Sequence, residues 1–240
     1  MGSFISNKSL CALVLCGGMG TRLQNTILDM PKPLAPVAGK PFLDYIMEYL
    51  VNSAVSSIVL CCGYRANDIR EHYSKNIFSI PVIFSQEPLP LGTAGAVKYA
   101  EHYINNGPFL VVNGDSFARV DINAMLGFHA SRNARATIAL SRIDDSSDFG
   151  TVKLDNNNRI ISFSEKDPAG GPAFVNAGIY LFETSVLSLI PKGVKFSLEH
   201  EVFNTITDCY GFKTDARLVD IGTKERYNEA QKIFSSKDCI

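Results

Sequence analysis

The sequence predicts an α/β protein built on a mixed, mainly parallel central sheet flanked by helices, with small antiparallel additions. Two observations predict this. Short apolar, β-branched runs alternate with amphipathic helical patterns through the first half, at Leu10–Cys16, Ser57–Cys62, Pro81–Phe84 and Phe109–Val112, and strand–helix–strand units of this kind favour parallel pairing with helices on both faces. From about Ala136 the strands crowd together, at Ala136–Ser141, Thr151–Leu154, Arg159–Ser164 and Phe174–Phe182, with turn residues such as Asp155-Asn156-Asn157-Asn158 between them; close spacing of this kind implies antiparallel or mixed pairing.

The helices follow from periodicity. Phe42, Tyr45, Ile46, Tyr49 and Leu50 repeat at the spacing of one buried face, and Ala96, Val97, Ala100, Tyr103 and Ile104 do the same. Two further helical stretches, Leu198–Thr207 and Lys224–Phe234, bracket a last strand at Ala216–Val219. The 240 residues, 46% hydrophobic and 20% charged, suit one large globular unit. With no internal repeat, low-complexity tract or long linker, a single domain over 10–240 is expected, with 1–9 a solvated lead-in. Two parts are expected within it, at about 10–115 and about 116–223.

Charge and cysteine content narrow the function. A net charge of −1 without long Lys or Arg runs argues against nucleic acid and anionic membrane as partners. The six cysteines, Cys11, Cys16, Cys61, Cys62, Cys209 and Cys239, show no Cys-x-x-Cys spacing, so reduced, mostly buried thiols in a cytoplasmic protein are expected. The apolar run at Leu10–Cys16 is too short to span a bilayer, and neither an export signal nor an anchor is read.

The first strand runs into Gly17-Gly18-Met19-Gly20-Thr21-Arg22-Leu23, followed by Pro31-Lys32-Pro33. Glycines at a strand's C-terminal end let backbone N–H groups approach phosphate oxygens, and ligands bind beyond that end of an open α/β sheet. A dinucleotide fingerprint needs a third glycine where Leu23 stands, and a P-loop needs Gly-Lys-Ser/Thr, which the chain lacks. A plain tight turn leaves unexplained Arg22 and Lys32, two cations where a triphosphate would lie.

Later segments continue the pattern. Gln86-Glu87-Pro88 leads to Leu91-Gly92-Thr93-Ala94-Gly95, a loop entering a helix whose N-terminal N–H groups are expected to meet polar ligand atoms. Val111-Val112-Asn113-Gly114-Asp115 ends a hydrophobic strand on a carboxylate, and Asp220 in Val219-Asp220-Ile221-Gly222-Thr223 again follows a strand and precedes a helix. A carboxylate beside phosphates is unfavourable unless a divalent cation intervenes; either aspartate alone also suits a helix N-cap. Phe149-Gly150-Thr151, Ser164-Glu165-Lys166 and Asn176-Ala177-Gly178 lie between them. His72, His102, His129 and His200 are scattered without a carboxylate at telling spacing and read as surface or packing residues.

In this order the segments resemble the sugar-1-phosphate nucleotidylyltransferases, and the resemblance runs over essentially residues 10–234. It implies a Rossmann-like nucleotidyltransferase fold and transfer of a nucleoside monophosphate from an NTP to a sugar 1-phosphate, with release of pyrophosphate. It implies that Arg22, Lys32 and Asp115 are catalytic, and that Asp115 and Asp220 hold Mg²⁺. The nucleotide is implied to meet Leu15, Gly17, Gly18, Gly20, Thr21, Gln86, Glu87, Gly92, Thr93 and Gly114; the sugar phosphate, Asn113, Gly150, Glu165, Lys166, Asn176, Gly178 and Glu199. The compact length and the segments Glu87–Gly95, Asn113–Asp115 and Phe196-Ser197-Leu198-Glu199 look most like the D-glycero-α-D-manno-heptose 1-phosphate guanylyltransferases, which favours GTP and that heptose, for cell-surface glycan synthesis such as capsule or S-layer polysaccharide. Mannose-1-phosphate guanylyltransferases and N-acetylmuramate-1-phosphate uridylyltransferases are neighbouring alternatives, and a catalytically silent nucleotide-sugar sensor is the alternative of another class. A monomer or homodimer is expected.

Overall fold

The structure is a computed structural model that describes residues 10–20, 30–164 and 169–236. In chain order its elements are β1 (Leu10–Leu15), β2 (Pro36–Val37), β3 (Lys40–Pro41), α1 (Phe42–Val51), β4 (Val55–Cys62), α2 (Ala66–Ser74), β5 (Val82–Gln86), α3 (Gly92–Tyr99), β6 (Phe109–Asn113), β7 (Ser116–Phe117), α4 (Ile122–Ser131), β8 (Ala136–Ile143), β9 (Thr151–Leu154), β10 (Ile160–Ser164), β11 (Ala173–Phe182), β12 (Cys209–Thr214), β13 (Val219–Asp220) and α5 (Lys224–Ser235).

One nine-stranded sheet organises the molecule in the order β10-β9-β11-β6-β1-β4-β5, with β8 joining β11 to β12. Pairing is parallel from β6 through β1 and β4 to β5, and antiparallel where β11 meets β6, β8 and β9. The parallel centre and antiparallel additions are those expected. Strand β1 has β4 on one side and β6 on the other, so chain order reverses across it; the crevice beyond its C-terminal end is where an open α/β sheet binds ligands.

Alternation along the strands divides the core between the sheet's faces. Ala12, Val14, Ile58, Leu60, Leu110, Val112 and Ile179 pack with buried residues of α1, α2, α4 and α5. Leu13, Val59, Val111, Tyr180 and Phe182 face the other way, against α3 and the segment carrying Val186, Ile190, Leu198, Val202 and Phe203. Cys11, Cys16, Cys61, Cys62 and Cys209 are free and buried, as expected; burial pushes the Cys209 thiol up to about 12.

Some expectations are corrected. The helix expected to run through Ala96–Ile104 begins at Gly92, ends at Tyr99 and is followed by a 3-10 turn at Glu101–Tyr103, tied by a Lys98–Glu101 ion pair. The stretch from Leu198 is a π turn, Leu198–Val202, continued by a 3-10 turn, Phe203–Thr205. Ser197 receives the N–H groups of Glu199 and His200 on its hydroxyl, while its own N–H donates to Glu201, so the first turn is tied to side chains. The strand expected at Ala216–Val219 is two residues, Val219–Asp220, and the six-residue β12 precedes it. Gly211 within β12 interrupts its β pattern and packs its backbone against Leu140 and Leu154. His72 Nε2 lies 3.3 Å from Asp44, and His129 Nε2 3.4 Å from Glu183; both histidines have carboxylate partners distant in sequence, in packing roles. Among the described residues no helix is long and apolar enough to cross a membrane.

Candidate active site

A cleft of about 430 Å³ opens at the C-terminal ends of β1, β4 and β6, lined by Leu15, Cys16, Gly17, Gly18, Met19, Gly20, Lys32, Pro33, Cys61, Glu87, Pro90, Gly92, Thr93, Ala96, Asn113, Asp115, Lys195 and Gly222. Its floor is set by backbone. The Gly114 N–H donates to the Leu15 carbonyl at 2.9 Å, which draws the end of β6 against the end of β1. A Cβ at Gly17 would lie 2.9 Å from the Gly63 nitrogen and 3.2 Å from Glu87 Oε1, so only glycine lets the loop pass over the Glu87 carboxylate. Glu87 Oε2 accepts the Leu91 N–H at 3.2 Å, and burial holds its carboxyl above the usual range.

Asp115 lines one end of the cleft, and Asp220 stands behind it on the strand paired with β7. Strand β13 pairs with β7, setting Asp220 opposite Ser116, and the Ile221 N–H donates to the Asp115 carbonyl. Lys32 Nζ lies 2.5 Å from Asp115 Oδ2; the lysine side chain is 11% exposed and the aspartate 44%. Asp220 accepts the Gly222 N–H at 2.7 Å and the Arg226 guanidinium at 3.1 Å. Asp220 does not cap α5: Thr223 does, its hydroxyl accepting the Arg226 N–H. The donor set suits a hard divalent cation, which takes one or two carboxylates and completes its shell with phosphate oxygens and water. Among the described residues no group of three or more His, Cys, Asp or Glu forms a metal cage.

At the other end a polar network runs under the sheet face. Thr93 Oγ1 donates to Glu199 Oε2 at 2.9 Å, and Tyr180 Oη donates to Glu199 Oε1 at 3.5 Å. The same phenol oxygen receives Asn176 Nδ2 at 2.9 Å and Asn113 Nδ2 at 3.4 Å; Asn176 Oδ1 accepts the Gly178 N–H. Tyr180 is fully buried, and burial followed by the Glu199 charge pushes its phenol far above its usual value. Asn113 Oδ1 and Ser116 Oγ are buried without a protein hydrogen-bond partner. Gly178, at φ 75°, leaves room beside them; a Cβ there would lie 2.4 Å from Ser116 Oγ.

Most residues singled out from sequence gather here. Leu15, Gly17, Gly18, Gly20, Lys32, Glu87, Gly92, Thr93, Asn113 and Asp115 line the cleft. Gly114, Asn176, Gly178, Glu199 and Asp220 stand behind that lining through the bonds above. Gln86 ends β5 exposed and outside the lining, and Gly150 is exposed on the loop before β9. Thr21, Arg22, Glu165, Lys166, residues 1–9 and Cys239 lie outside the described residues. The N-terminal N–H groups of α3 are less free than expected, because Ala94 and Gly95 donate to the Phe196 carbonyl. That bond brings residues 194–199 to the cleft, and with them Lys195, a cation the sequence reading missed. Tyr180 and Arg226 were missed too: one sits in an apolar strand and the other on a charged helix, where composition hides a polar task. The cysteines at the cleft are unsuited to nucleophilic attack: the Cys62 sulfur 3.6 Å away and burial push the Cys16 thiol up, and burial raises Cys61.

A glycine-edged cleft at the sheet's switch point, with a lysine fastened to an aspartate at one end, is the arrangement of an enzyme acting on nucleotide phosphates. The chain belongs to the nucleotidyl transferase family, whose sequence profile matches residues 11–235. Among its relatives, the D-glycero-alpha-D-manno-heptose 1-phosphate guanylyltransferase of Aneurinibacillus thermoaerophilus is 33% identical over 224 residues, covering 92% of this chain and 96% of the relative. The mannose-1-phosphate guanylyltransferase of Mycobacterium tuberculosis is 33% identical over 222 residues, 90% of this chain but 62% of that protein. Among solved structures, HddC from Yersinia pseudotuberculosis complexed with GMP-PN superposes with a TM-score of 0.85 at 33% identity, covering 94% of this chain and 99% of that one.

Proposed function

We propose that the protein transfers GMP from GTP to D-glycero-α-D-manno-heptose 1-phosphate, releasing pyrophosphate and forming a GDP-heptose for cell-surface glycan synthesis in the cytoplasm. The observation that carries the reaction class is the cleft itself: Lys32, its side chain 11% exposed, bonded to Asp115 just beyond β6, with Asp220 on the strand paired with β7. The heptose reading is supported by two D-glycero-alpha-D-manno-heptose 1-phosphate guanylyltransferases, each 33% identical to this chain, over 92% and 90% of its length.

In this reading a sugar-phosphate oxygen attacks the α-phosphorus of GTP in line, the α–β phosphoanhydride bond breaks, and no covalent enzyme intermediate forms. Charge grows on the α-phosphate oxygens and on the departing pyrophosphate, and Lys32 is a fixed cation positioned to offset it. By family resemblance Arg22 serves the triphosphate. Asp115 and Asp220 would hold Mg²⁺, which when bound supplies positive charge to the same oxygens. Gly17, Gly18 and Glu87 form the nucleotide side of the cleft. Asn113, Asn176, Gly178 and Glu199 form the sugar side, with Lys166 and Glu165 completing it by family resemblance.

The test is pyrophosphate release over a matrix of the four NTPs against heptose, mannose, glucose, N-acetylglucosamine and N-acetylmuramate 1-phosphates. Turnover concentrated in the GTP and heptose cell is expected. Turnover in the GTP and mannose cell instead would replace the sugar, and none in any cell would favour a silent nucleotide-sugar sensor.

A further inference from the structure

Arg226 occupies the first turn of α5, three residues after the Thr223 cap. A cation there is opposed by the positive end of the helix dipole, and the position suits Glu or Gln, whose side chain can complete a capping box. Helix stability therefore does not account for an arginine. Its contacts do. One guanidinium nitrogen lies 3.3 and 3.1 Å from the two oxygens of Asp220, and the other donates to the Asp148 carbonyl at 2.9 Å. The flat guanidinium lies over the Phe149 ring, 3.9 Å from its centroid. The side chain is only 19% exposed, so these contacts are held against little competing water. Three separate groups on two chain segments are fastened by one side chain: the Asp220 carboxylate, the backbone before Phe149, and the Phe149 ring.

We infer that Arg226 is a positioning residue that locks the Asp148–Gly150 turn to Asp220, so that the backbone meeting the sugar and the carboxylate meeting the metal keep one geometry. The inference rests on the nucleotidyl-transfer reading for its kinetic consequence, but its structural content does not. Lysine is a poor substitute: an ammonium can meet the Asp220 carboxylate, but it has no second nitrogen for the Asp148 carbonyl and no flat face to lay on the Phe149 ring. Because the family resemblance assigns Gly150 in the fastened turn to the sugar phosphate, loss of the lock should weaken use of the sugar phosphate more than use of the nucleotide.

Two measurements on the full chain test this. Hydrogen exchange without substrates reads the lock directly: in Arg226→Met, backbone amides of residues 146–150, including the Phe149 N–H now bonded to the Ser146 carbonyl, are expected to exchange about tenfold faster or more. Steady-state kinetics reads the consequence: the KM for sugar 1-phosphate should rise about tenfold while that for GTP changes less than about twofold, with Arg226→Lys intermediate. Should Arg226→Met fail to fold, Phe149→Leu removes the ring alone and should give the same sugar-selective defect, smaller in size. Unchanged exchange in 146–150, or equal changes in the two KM values, overturns the inference. A wild-type protein inactive on every NTP and sugar phosphate would instead remove the proposed function and leave the exchange result to decide the lock.

Discussion

Lys32 is 11% exposed and 2.5 Å from Asp115, so its charge is fixed before any substrate arrives. A preorganised cation of this kind acts mainly on the transition state. Lys32→Ala is expected to lower kcat by about a hundredfold or more with the fold intact; near-native turnover in a folded variant would remove its role. Asp115→Asn and Asp220→Asn should each abolish most Mg²⁺-dependent pyrophosphate release, and the double variant should cost little more than either, because two ligands of one ion act as a unit. Independent, multiplying losses would mean that the carboxylates do not share a cation. Glu87 shows a different balance. Burial raises its carboxyl above 4.5, so the fold favours the protonated form. The stability it contributes is present at low pH and lost as pH rises through the raised value, leaving an ionised Glu87 that costs stability near neutrality. Glu87→Gln keeps an acceptor for the Leu91 N–H. It should raise Tm at about pH 7.5, with the gain shrinking towards about pH 4, while raising the KM for GTP. A gain of equal size at both pH values would show that ionisation is not its cause.

At the scale of elements, the site is a set of strand ends brought into register. Asp115 follows β6 and Asp220 ends β13, and each was legible because a carboxylate closing an apolar run is a local pattern. Tyr180 was not legible: in Ala173–Phe182 the alternation that marks a buried strand also buries its hydroxyl, and its partners Asn113 and Glu199 come from segments distant in sequence. The π and 3-10 turns from Leu198 escaped for a similar reason, since their apolar spacing is helical and what distorts them is a set of bonds from Ser197, Glu201 and Thr93. The Gly178 position tests how tightly β11 and β6 must meet. At φ 75° any side chain is strained, and a Cβ would press on Ser116 Oγ at 2.4 Å and Asn113 at 3.1 Å. Gly178→Ala should destabilise by about 2 kcal/mol or more and raise the KM for the sugar phosphate, measured by urea unfolding and initial rates. A native midpoint and native KM would mean that the turn yields freely.

At the scale of the molecule, the sheet passes without a break from the expected nucleotide part to the expected sugar part: β6, before Asp115, pairs along Phe109–Val112 with Phe182–Ile179 of β11. Both apolar faces cross that seam. On one, Leu110 and Val112 share a cluster with Ile179 and Leu181; on the other, Phe109 and Val111 share a cluster with Tyr180 and Phe182. Separating the two parts would expose two faces of a central strand and its unpaired backbone edge at once, so neither part retains a closed core. Unfolding is therefore expected to be one cooperative transition. Ile46→Ala loosens the face covered by α1, and Phe182→Ala the face covered by α3; both residues are almost fully buried, and each truncation should cost about 2–5 kcal/mol. If the faces stand or fall together, each variant shifts the whole urea curve to lower midpoint without splitting it. Far-ultraviolet circular dichroism, which follows helices on both faces, and tyrosine fluorescence should then give coincident curves for either variant. A biphasic curve, or a midpoint that moves by one probe only, would show that the sheet unfolds in parts along the β6–β11 seam.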